Sequence, residues 1–285
     1  MRPTRIFLTS VLACVALVSG SAAQSLDGGP RHAPGAGRFA VMPHFGTELD
    51  LGGNFTESAR ANVPAVSIFG KLSFDTSGNI TVAARTFGDL YSMPAELGFD
   101  MAYGVSDLGE VFGGFRYIRA TGRRAVIGAV NATGTVVGTG NGFSPGAALS
   151  AQMENFGSVA GEVGYRQFLI GSGSLLPYVA GSLGATRTST VGSELFVRND
   201  LGADESIGRV ALFQRSYAFT GGMQVGATYA LAPQAALGVE VGARYVGAMR
   251  GNDTDLRGGD NGLFTVNDSG GRWTLPIRLT GRIVF

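Results

Sequence analysis

The chain has 285 residues, of which 22 are Lys or Arg and 21 are Asp or Glu, so its formal net charge is +1. This balance excludes the basic stripe on which nucleic-acid binding depends, and nucleic acid is not an expected partner. The 46 glycines lie within apolar segments without a collagen period, which indicates closely packed, bent strands rather than disorder.

The N-terminus has the pattern of a secretory signal peptide. Two arginines precede an apolar run, 6–18, that is too short to span a bilayer, and small residues then favour cleavage after Ala23. Residues 24–37, rich in Pro and Gly, are expected to form a flexible periplasmic lead-in. The single cysteine, Cys14, lies in the signal, so the mature chain is expected to have no disulfide. A lipoprotein processed at Cys14 is the alternative.

From residue 38 onward, apolar and polar residues alternate strictly, which is the period of a strand. Short turns alternate with long polar loops, as expected when turns face the periplasm and loops face outward. The five long loops are 50–62, 88–95, 122–156, 188–215 and 251–271. The ten predicted strands are 38–49, 66–74, 80–87, 97–105, 111–117, 159–168, 176–186, 217–229, 237–245 and 273–285.

The segment 122–156 leaves the strand number open. Its runs 125–130 and 134–138 could form a hairpin. The barrel has twelve strands if this hairpin lies in the membrane, and ten if it rises above the membrane. The following stretch, 144–155, fits a short helix or an inward-folded loop. Eight and twelve strands are therefore the alternatives to the expected ten.

The positions of the aromatic residues favour a membrane barrel over a periplasmic sandwich or lipocalin-like barrel. The intervals 217–229 and 273–285 each span about 40 Å at ~3.3 Å per residue, which matches a tilted strand crossing an apolar band and its girdles. In lipid a sheet satisfies its backbone only by closing. The expected fold is an all-β, antiparallel up-and-down transmembrane barrel over 38–285. Its expected aromatic girdles are Tyr103, Tyr117, Tyr165, Tyr178, Tyr217, Tyr229, Tyr245, Trp273 and Phe285.

The last strand ends in Phe285 with a hydrophobic residue at every second position before it, and it resembles the assembly signal of bacterial outer-membrane barrel proteins. The hairpins within 219–245 resemble small barrels of the outer-membrane protein A and opacity-protein type. The resemblance implies outer-membrane localisation, recognition of the last strand by the barrel assembly machinery, and contact with lipid and lipopolysaccharide. A monomer is favoured. Pro276 departs from the pattern because proline has no backbone N–H donor. It lies at the seam where the first and last strands are expected to meet, and Pro43 lies there as well.

Polar residues on the opposite strand faces are expected to line the lumen. One interpretation is a network of ion pairs that fills a narrow barrel. The other is a small aqueous channel with charged walls. The filled or narrow lumen is favoured. The six acids and seven bases of this predicted luminal set are Glu48, Lys71, Arg85, Glu96, Asp100, Glu110, Arg116, Glu162, Arg166, Glu240, Arg244, Arg278 and Arg282.

Two functions are compatible with this pattern: a structural or passive small-solute pore, and a surface adhesin that binds through its long loops. Catalysis is not expected, because His32 and His44 lie in no Ser-His-Asp spacing. No cofactor motif is present. A loop starting at Asp253 begins like a calcium loop, but Arg257 and Phe264 occupy ligand positions, so no metal site is predicted.

Overall fold

The computed structural model describes residues 35–65, 68–69, 71–252 and 266–285, so the signal peptide, most of the lead-in and the loop 253–265 lie outside the described residues. One short helix, α1 (Phe87–Leu90), is present among them, and the other regular elements are β-strands. The strands in chain order are β1 (Phe39–Gly52), β2 (Asn54–Thr56), β3 (Ala59–Val63), β4 (Ile68–Phe69), β5 (Leu72–Phe74), β6 (Gly78–Val82), β7 (Arg85–Thr86), β8 (Ala95–Gly104), β9 (Gly109–Ala120), β10 (Arg124–Asn131), β11 (Gly134–Val136), β12 (Gly142–Phe143), β13 (Ala147–Met153), β14 (Phe156–Phe168), β15 (Leu175–Thr188), β16 (Val191–Arg198), β17 (Asp204–Phe213), β18 (Ser216–Ala232), β19 (Ala235–Val246) and β20 (Arg272–Val284).

Eight long strands form a closed antiparallel barrel in the order β1-β20-β19-β18-β15-β14-β9-β8. The predicted fold class is confirmed, and the strand number is the lower of the two alternatives to ten. The prediction that the runs 66–74 and 80–87 are barrel strands is wrong. Their alternation is real, but their strands β5 and β6 have only three and five residues. A membrane-crossing strand needs about ten.

The barrel wall continues above its loop end, which is the end where β1 finishes and β20 begins. A six-stranded sheet in the order β17-β16-β13-β10-β6-β3 repeats the order of β18, β15, β14 and β9 beneath it. The hairpin predicted within 122–156 thus rises above the barrel, and the stretch 144–155 contains strand β13 rather than a helix. A four-stranded sheet, β12-β11-β5-β4, and the pair β2-β7 complete this loop-end region.

The loop-end region has a hydrophobic core of its own. Leu72, Val130 and Phe143 are fully buried there, and Phe74 meets Phe143 edge to face at 5.8 Å. Below them, an aromatic cap covers the mouth of the barrel, with ring centroids 4.5 to 5.8 Å apart. The aromatic cap consists of Phe55, Phe87, Tyr91, Phe156 and Phe213.

The seam between the first and last strands is paired on both sides of Pro43, at Ala40 and Val41 and again from His44 onward. Pro276 lies opposite Glu48, and the backbone N–H of Phe285 donates to the carbonyl of Phe39 at 2.8 Å. The terminal residue therefore closes the hydrogen-bonded ring at the turn end, opposite the loop end. Pro43 pairs with Phe99 of β8, on the other side of β1.

The outer wall of the barrel is apolar and exposed. Val163 on β14, Leu183 on β15 and Met223 on β18 have exposed fractions of 69%, 60% and 75%. Large apolar side chains turned away from the core are stable only against another apolar medium. Among the described residues, no helix has the length and hydrophobicity of a membrane span.

Removal of the Phe143 ring is expected to loosen the loop-end region while the barrel stays closed. Phe143→Ala creates a cavity in a fully buried position, which costs about 3 to 5 kcal/mol. Proteinase K added to intact cells should then cut the loop-end strands at lower concentration than in the wild type. The half-exposed Val137→Ala is the matched control. Equal cleavage of both variants would contradict a core at this place.

Candidate functional site in the barrel interior

The interior of the barrel holds six carboxylates and five arginines that pair across strands. At its loop-end half, Arg244 Nη1 lies 2.8 Å from Glu48 Oε1, and Arg116 Nη1 lies 3.6 Å from the same oxygen. Arg116 Nη2 is 2.8 Å from Glu162 Oε1, and Ser182 Oγ donates to the other oxygen of Glu162 at 2.9 Å. Glu48 of β1 thus connects β9 and β19, each two strands away, and Glu162 of β14 connects its neighbours β9 and β15.

A second set of pairs crosses the middle of the lumen. Arg278 bridges two carboxylates, with Nε 2.5 Å from Glu96 Oε1 and Nη1 2.9 Å from Glu240 Oε1. Tyr178 donates its hydroxyl to Glu240 Oε2 at 3.1 Å. His44 Nε2 lies 3.4 Å from Glu96 Oε1. Arg278 therefore joins β8 and β19 through its position on β20.

The turn-end half is organised around Glu110. Arg282 approaches both of its oxygens, at 2.7 and 3.0 Å, and Arg166 bridges Glu110 and Asp100, with Nη2 2.8 Å from Asp100 Oδ2. Met42 places its sulfur 2.8 Å from Arg166 Nη1 and 3.2 Å from Arg282 Nη1. Both guanidinium groups thus lie between carboxylates and a polarisable thioether.

Glycines on neighbouring strands make room for two of these groups. A Cβ at Gly98 would lie 2.4 Å from His44 Nε2, and a Cβ at Gly226 would lie 2.5 Å from the Tyr178 ring. Both distances are shorter than real Cβ contacts. The backbone of β8 and of β18 therefore sets where the imidazole and the phenol can lie.

The structure places eleven of the thirteen predicted luminal residues inside the barrel, and the other two outside it. Lys71 is exposed beside β5 in the loop-end region. Arg85 lies on β7 and donates to the carbonyl of Val126 at 2.6 Å. Both corrections have the same cause, since the segments that carry these residues are not barrel strands. The eleven in the lumen are Glu48, Glu96, Asp100, Glu110, Arg116, Glu162, Arg166, Glu240, Arg244, Arg278 and Arg282.

One predicted girdle residue faces the other way. Tyr178 is 1% exposed and points into the lumen, because the outward positions of β15 are the odd ones, such as Val179 and Leu183. The alternation with Ser182 and Thr186 could have indicated this. The other eight lie on the outer wall, where Tyr245 packs against Trp273 at 5.4 Å and Phe39 packs against Tyr103 at the same distance.

Some interior residues were missed by the sequence analysis although parity identifies them. Met42 and His44 share the inward face of β1 with Glu48. Arg272 shares the inward face of β20 with Arg278, and its guanidinium stacks on Phe87 at 4.2 Å. The aromatic cap itself has no sequence signal, because its five rings come from four separate segments of the chain.

The interior is tightly filled. The side chains of Arg166, Arg244 and Arg282 are only 1%, 0% and 1% exposed. In an open channel each of them would contact water. A cavity of about 10 Å³ beside His44 and a cavity of about 20 Å³ below the aromatic cap each have room for roughly one water molecule. At the turn end, Phe168 and Leu176 are fully buried beside Tyr178.

A second polar cluster lies far from the membrane, at the tip of the loop-end region. Asn141 and Asn199 donate their amides to Glu205 Oε1 at 2.5 and 2.6 Å, and Thr139 donates its hydroxyl to Oε2. These hydrogen bonds lower the pKa of Glu205 from its ordinary value of 4.5, with Thr139 the largest cause. The cluster ties the loop after β11 to the start of β17. Among the described residues, no group of acidic, His or Cys side chains could hold a metal ion.

An eight-stranded closed sheet with an apolar outer wall, aromatic girdles and a charged interior defines the class of protein: the chain is a small outer-membrane β-barrel. The backbone is satisfied around the ring without an edge, which is the condition for a sheet in lipid. The folded region at the loop end is an addition to that architecture.

Comparison with known proteins finds no matching family model and no matching curated protein. Solved structures with a similar fold include the outer membrane protease OmpT from Escherichia coli, 10% identical, with 92% of this chain and 99% of that chain covered and a TM-score of 0.38. Neisserial surface protein A is 12% identical, with 87% and 98% covered and a TM-score of 0.36. Outer membrane protein AlkL is 15% identical, with 92% and 94% covered and a TM-score of 0.33. At these values the likeness carries no argument about function.

Removal of one carboxylate from the turn-end cluster is expected to destabilise the barrel. Glu110→Ala leaves Arg166 and Arg282 short of a buried partner, which costs about 3 to 5 kcal/mol. Urea unfolding in lipid vesicles measures this loss of unfolding free energy. The exposed Arg198→Ala, which removes a surface pair with Asp204, should change it by less than about 1 kcal/mol.

A double-variant cycle separates the pairing from simple cavity formation. Glu110→Ala combined with Arg282→Met should lose less stability than the sum of the two single variants, because the second change removes the stranded charge. Strictly additive losses would show that the two groups do not interact.

The Glu205 cluster should loosen in acid. The folded-state pKa lies below the ordinary value, so the stabilisation is present above pH 4.5 and is lost as the pH falls through the folded pKa. Side-chain amide signals of Asn141 and Asn199 in an NMR titration should collapse only at low pH. In Glu205→Gln, the same signals should be independent of pH, and a retained transition would assign it to another group.

Proposed function

We propose that this protein is a surface-recognition module in which the filled barrel serves as the anchor and the loop-end β-structure binds a partner outside the cell. The observation that carries the proposal is the burial of the interior arginines, because a solute pathway would have to displace their ion pairs. Breaking buried pairs of this kind costs several kcal/mol each.

The regular, packed structure of the loop-end region supports a binding role. Connecting loops ordinarily need no core, yet here they form sheets around buried Leu72 and Phe143. Rigid presentation of a surface lowers the entropy lost on binding. A large part of the chain therefore forms a folded structure that closure of the barrel does not require.

The outer face of the six-stranded sheet is the candidate binding surface. Arg124, Gln152, Glu194 and Arg209 form one row across β10, β13, β16 and β17, and the Arg124 guanidinium stacks on Phe196 at 3.8 Å. Arginine and aromatic side chains on a rigid sheet are frequent at protein interfaces. A mixed-charge partner surface fits this row better than a strongly acidic or basic one.

Hydrolysis is not part of the proposal. Of the two histidines, His44 is 5% exposed and pairs with Glu96 inside the barrel, where a surface substrate does not reach it. His32 lies outside the described residues. A general base needs to contact the proton that it removes.

Single-channel recording tests the anchor part of the proposal. The purified mature protein in a planar bilayer should give no steady conductance, because the lumen is filled along its length. The luminal double variant Glu48→Ser/Arg244→Ser, which empties part of the loop-end half, is the comparison. A steady ohmic current through the wild type would overturn the proposal in favour of a pore.

Cell binding tests the recognition part. Non-adherent bacteria that express the wild type should bind target cells or matrix proteins, and Phe143→Ala, which loosens the loop-end region, should reduce binding by about tenfold or more. Glu110→Ala, which alters only the lumen, should bind as the wild type at equal surface amount. Equal binding by all three and by the empty strain would contradict a recognition role.

A further inference from the structure

A small cavity lies where the lumen meets the aromatic cap. This mouth cavity has a volume of about 20 Å³ and is lined at the cap by Phe55, Phe87 and Phe156. Two arginines of the barrel wall, Arg116 on β9 and Arg272 on β20, also line it, and none of the described residues around it is acidic. Its lining therefore combines aromatic rings with two positive charges and lacks a carboxylate.

Hydroxyl groups complete the polar part of the lining. Ser158 of β14 and Thr188 of β15 lie opposite each other in the register, and both are buried. Neither hydroxyl donates a hydrogen bond to another described residue. Ser269 Oγ accepts the N–H of Met249 at 3.2 Å, so its own hydrogen is available for a further bond. The mouth cavity thus has three hydroxyl donors beside its two guanidinium groups.

The guanidinium group of Arg272 is held by rings rather than by an acid. It lies 4.2 Å from the ring centroid of Phe87 and 5.4 Å from that of Phe156. Within the part of the chain that the structure describes, it forms no ion pair with a carboxylate. Stacking on an aromatic face leaves the N–H donors of a guanidinium, which lie in its own plane, able to bind another partner.

The two carboxylates of β1 that attract Arg272 at longer range have other partners. Glu48 Oε1 lies 2.8 Å from Arg244 Nη1 and 3.6 Å from Arg116 Nη1. Asp50 Oδ2 accepts the backbone N–H of Gly88 at 3.1 Å. The positive charge of Arg272 therefore has no close counter-ion among the described residues.

The other arginine of the mouth cavity is only partly satisfied. Arg116 Nη2 lies 2.8 Å from Glu162 Oε1, but its Nε and Nη1 are buried without a hydrogen-bond partner. Buried donors of this kind are rare, because the loss of hydration is not repaid. A negatively charged acceptor in the mouth cavity would compensate Arg116 and Arg272 together.

We propose that the mouth cavity binds one chloride ion, with Arg116 and Arg272 as counter-charges and the hydroxyls of Ser158, Thr188 and Ser269 as donors. The volume suits a single monatomic ion, whereas phosphate, sulfate and carboxylates need more space. A water molecule has two hydrogens of its own to donate, and guanidinium groups accept none. The attraction between an anion and two cations is also stronger in a poorly hydrated interior than in water.

The ion joins the barrel to the aromatic cap. Arg116, Ser158 and Thr188 belong to the barrel strands, and Arg272 carries the contact to the cap by stacking on Phe87. Removal of the ion leaves two like charges facing one cavity, which weakens this contact. The site is independent of whether the loop-end region binds a partner.

Bromide can replace chloride and is located by its anomalous scattering. Crystals of the full mature protein grown in sodium bromide should show an anomalous peak in the mouth cavity. Arg272→Gln removes one of the two charges and should lose this peak. The exposed Arg198→Gln is the matched charge control and should keep it.

Thermal unfolding in detergent measures the affinity in solution. Sodium chloride is titrated against sodium gluconate at constant ionic strength, since gluconate is too large for the cavity. The unfolding temperature of the wild type should rise with chloride and then saturate. Thr188→Val keeps the size of the side chain but removes one donor, and should raise the half-saturating chloride concentration by about tenfold. Thr228→Val, at a similarly buried threonine near the turn end, is the matched control and should leave it unchanged.

The site is contradicted if bromide binds only at the outer surface of the protein. It is also contradicted if the wild type and folded Thr188→Val depend equally on chloride. A bromide peak in the mouth cavity that Arg272→Gln removes, together with weaker chloride binding by Thr188→Val, would support it. If Arg272→Gln does not fold, the comparison of Thr188→Val with Thr228→Val still decides between these outcomes.

Discussion

Closure of the hydrogen-bonded ring is the constraint on which this structure depends. Strand β1 pairs with both β8 and β20, and the N–H of Phe285 completes the ring at the carbonyl of Phe39. Once the sheet is closed, each strand has one face toward lipid and one toward the axis. The apolar wall and the charged lumen are both consequences of that division, because a one-residue register shift would exchange them.

In both the lumen and the loop-end region, side chains are buried against one another and leave little room for water. Inside the barrel, guanidinium and carboxylate groups satisfy one another across strands, as Arg278 does between Glu96 and Glu240. At the mouth, aromatic rings replace charges, and Arg272 joins the two regions by stacking on Phe87. This continuity makes the barrel a solid support for the sheets above it, so that the proposed binding at the surface would need no movement in the membrane.

The six-stranded sheet stands on one side of the barrel. Strands β9, β14, β15 and β18 form that side of the wall, and their continuations β10, β13, β16 and β17 carry the row that begins at Arg124. The candidate binding surface is therefore continuous with the barrel wall below it.

The sequence by itself determined the membrane barrel, its terminal strand and most of its interior, because the period of two is a local property and parity assigns each residue a face. Glu240 and Arg244, or Arg278 and Arg282, could be placed inside without any tertiary information. Only the tertiary structure decided that Lys71 and Arg85 are outside, since strand alternation does not reveal whether a run is long enough to join the ring. It also decided which charges meet, and it assembled the aromatic cap from four separate segments, because contacts between distant parts of the chain leave no periodic signal.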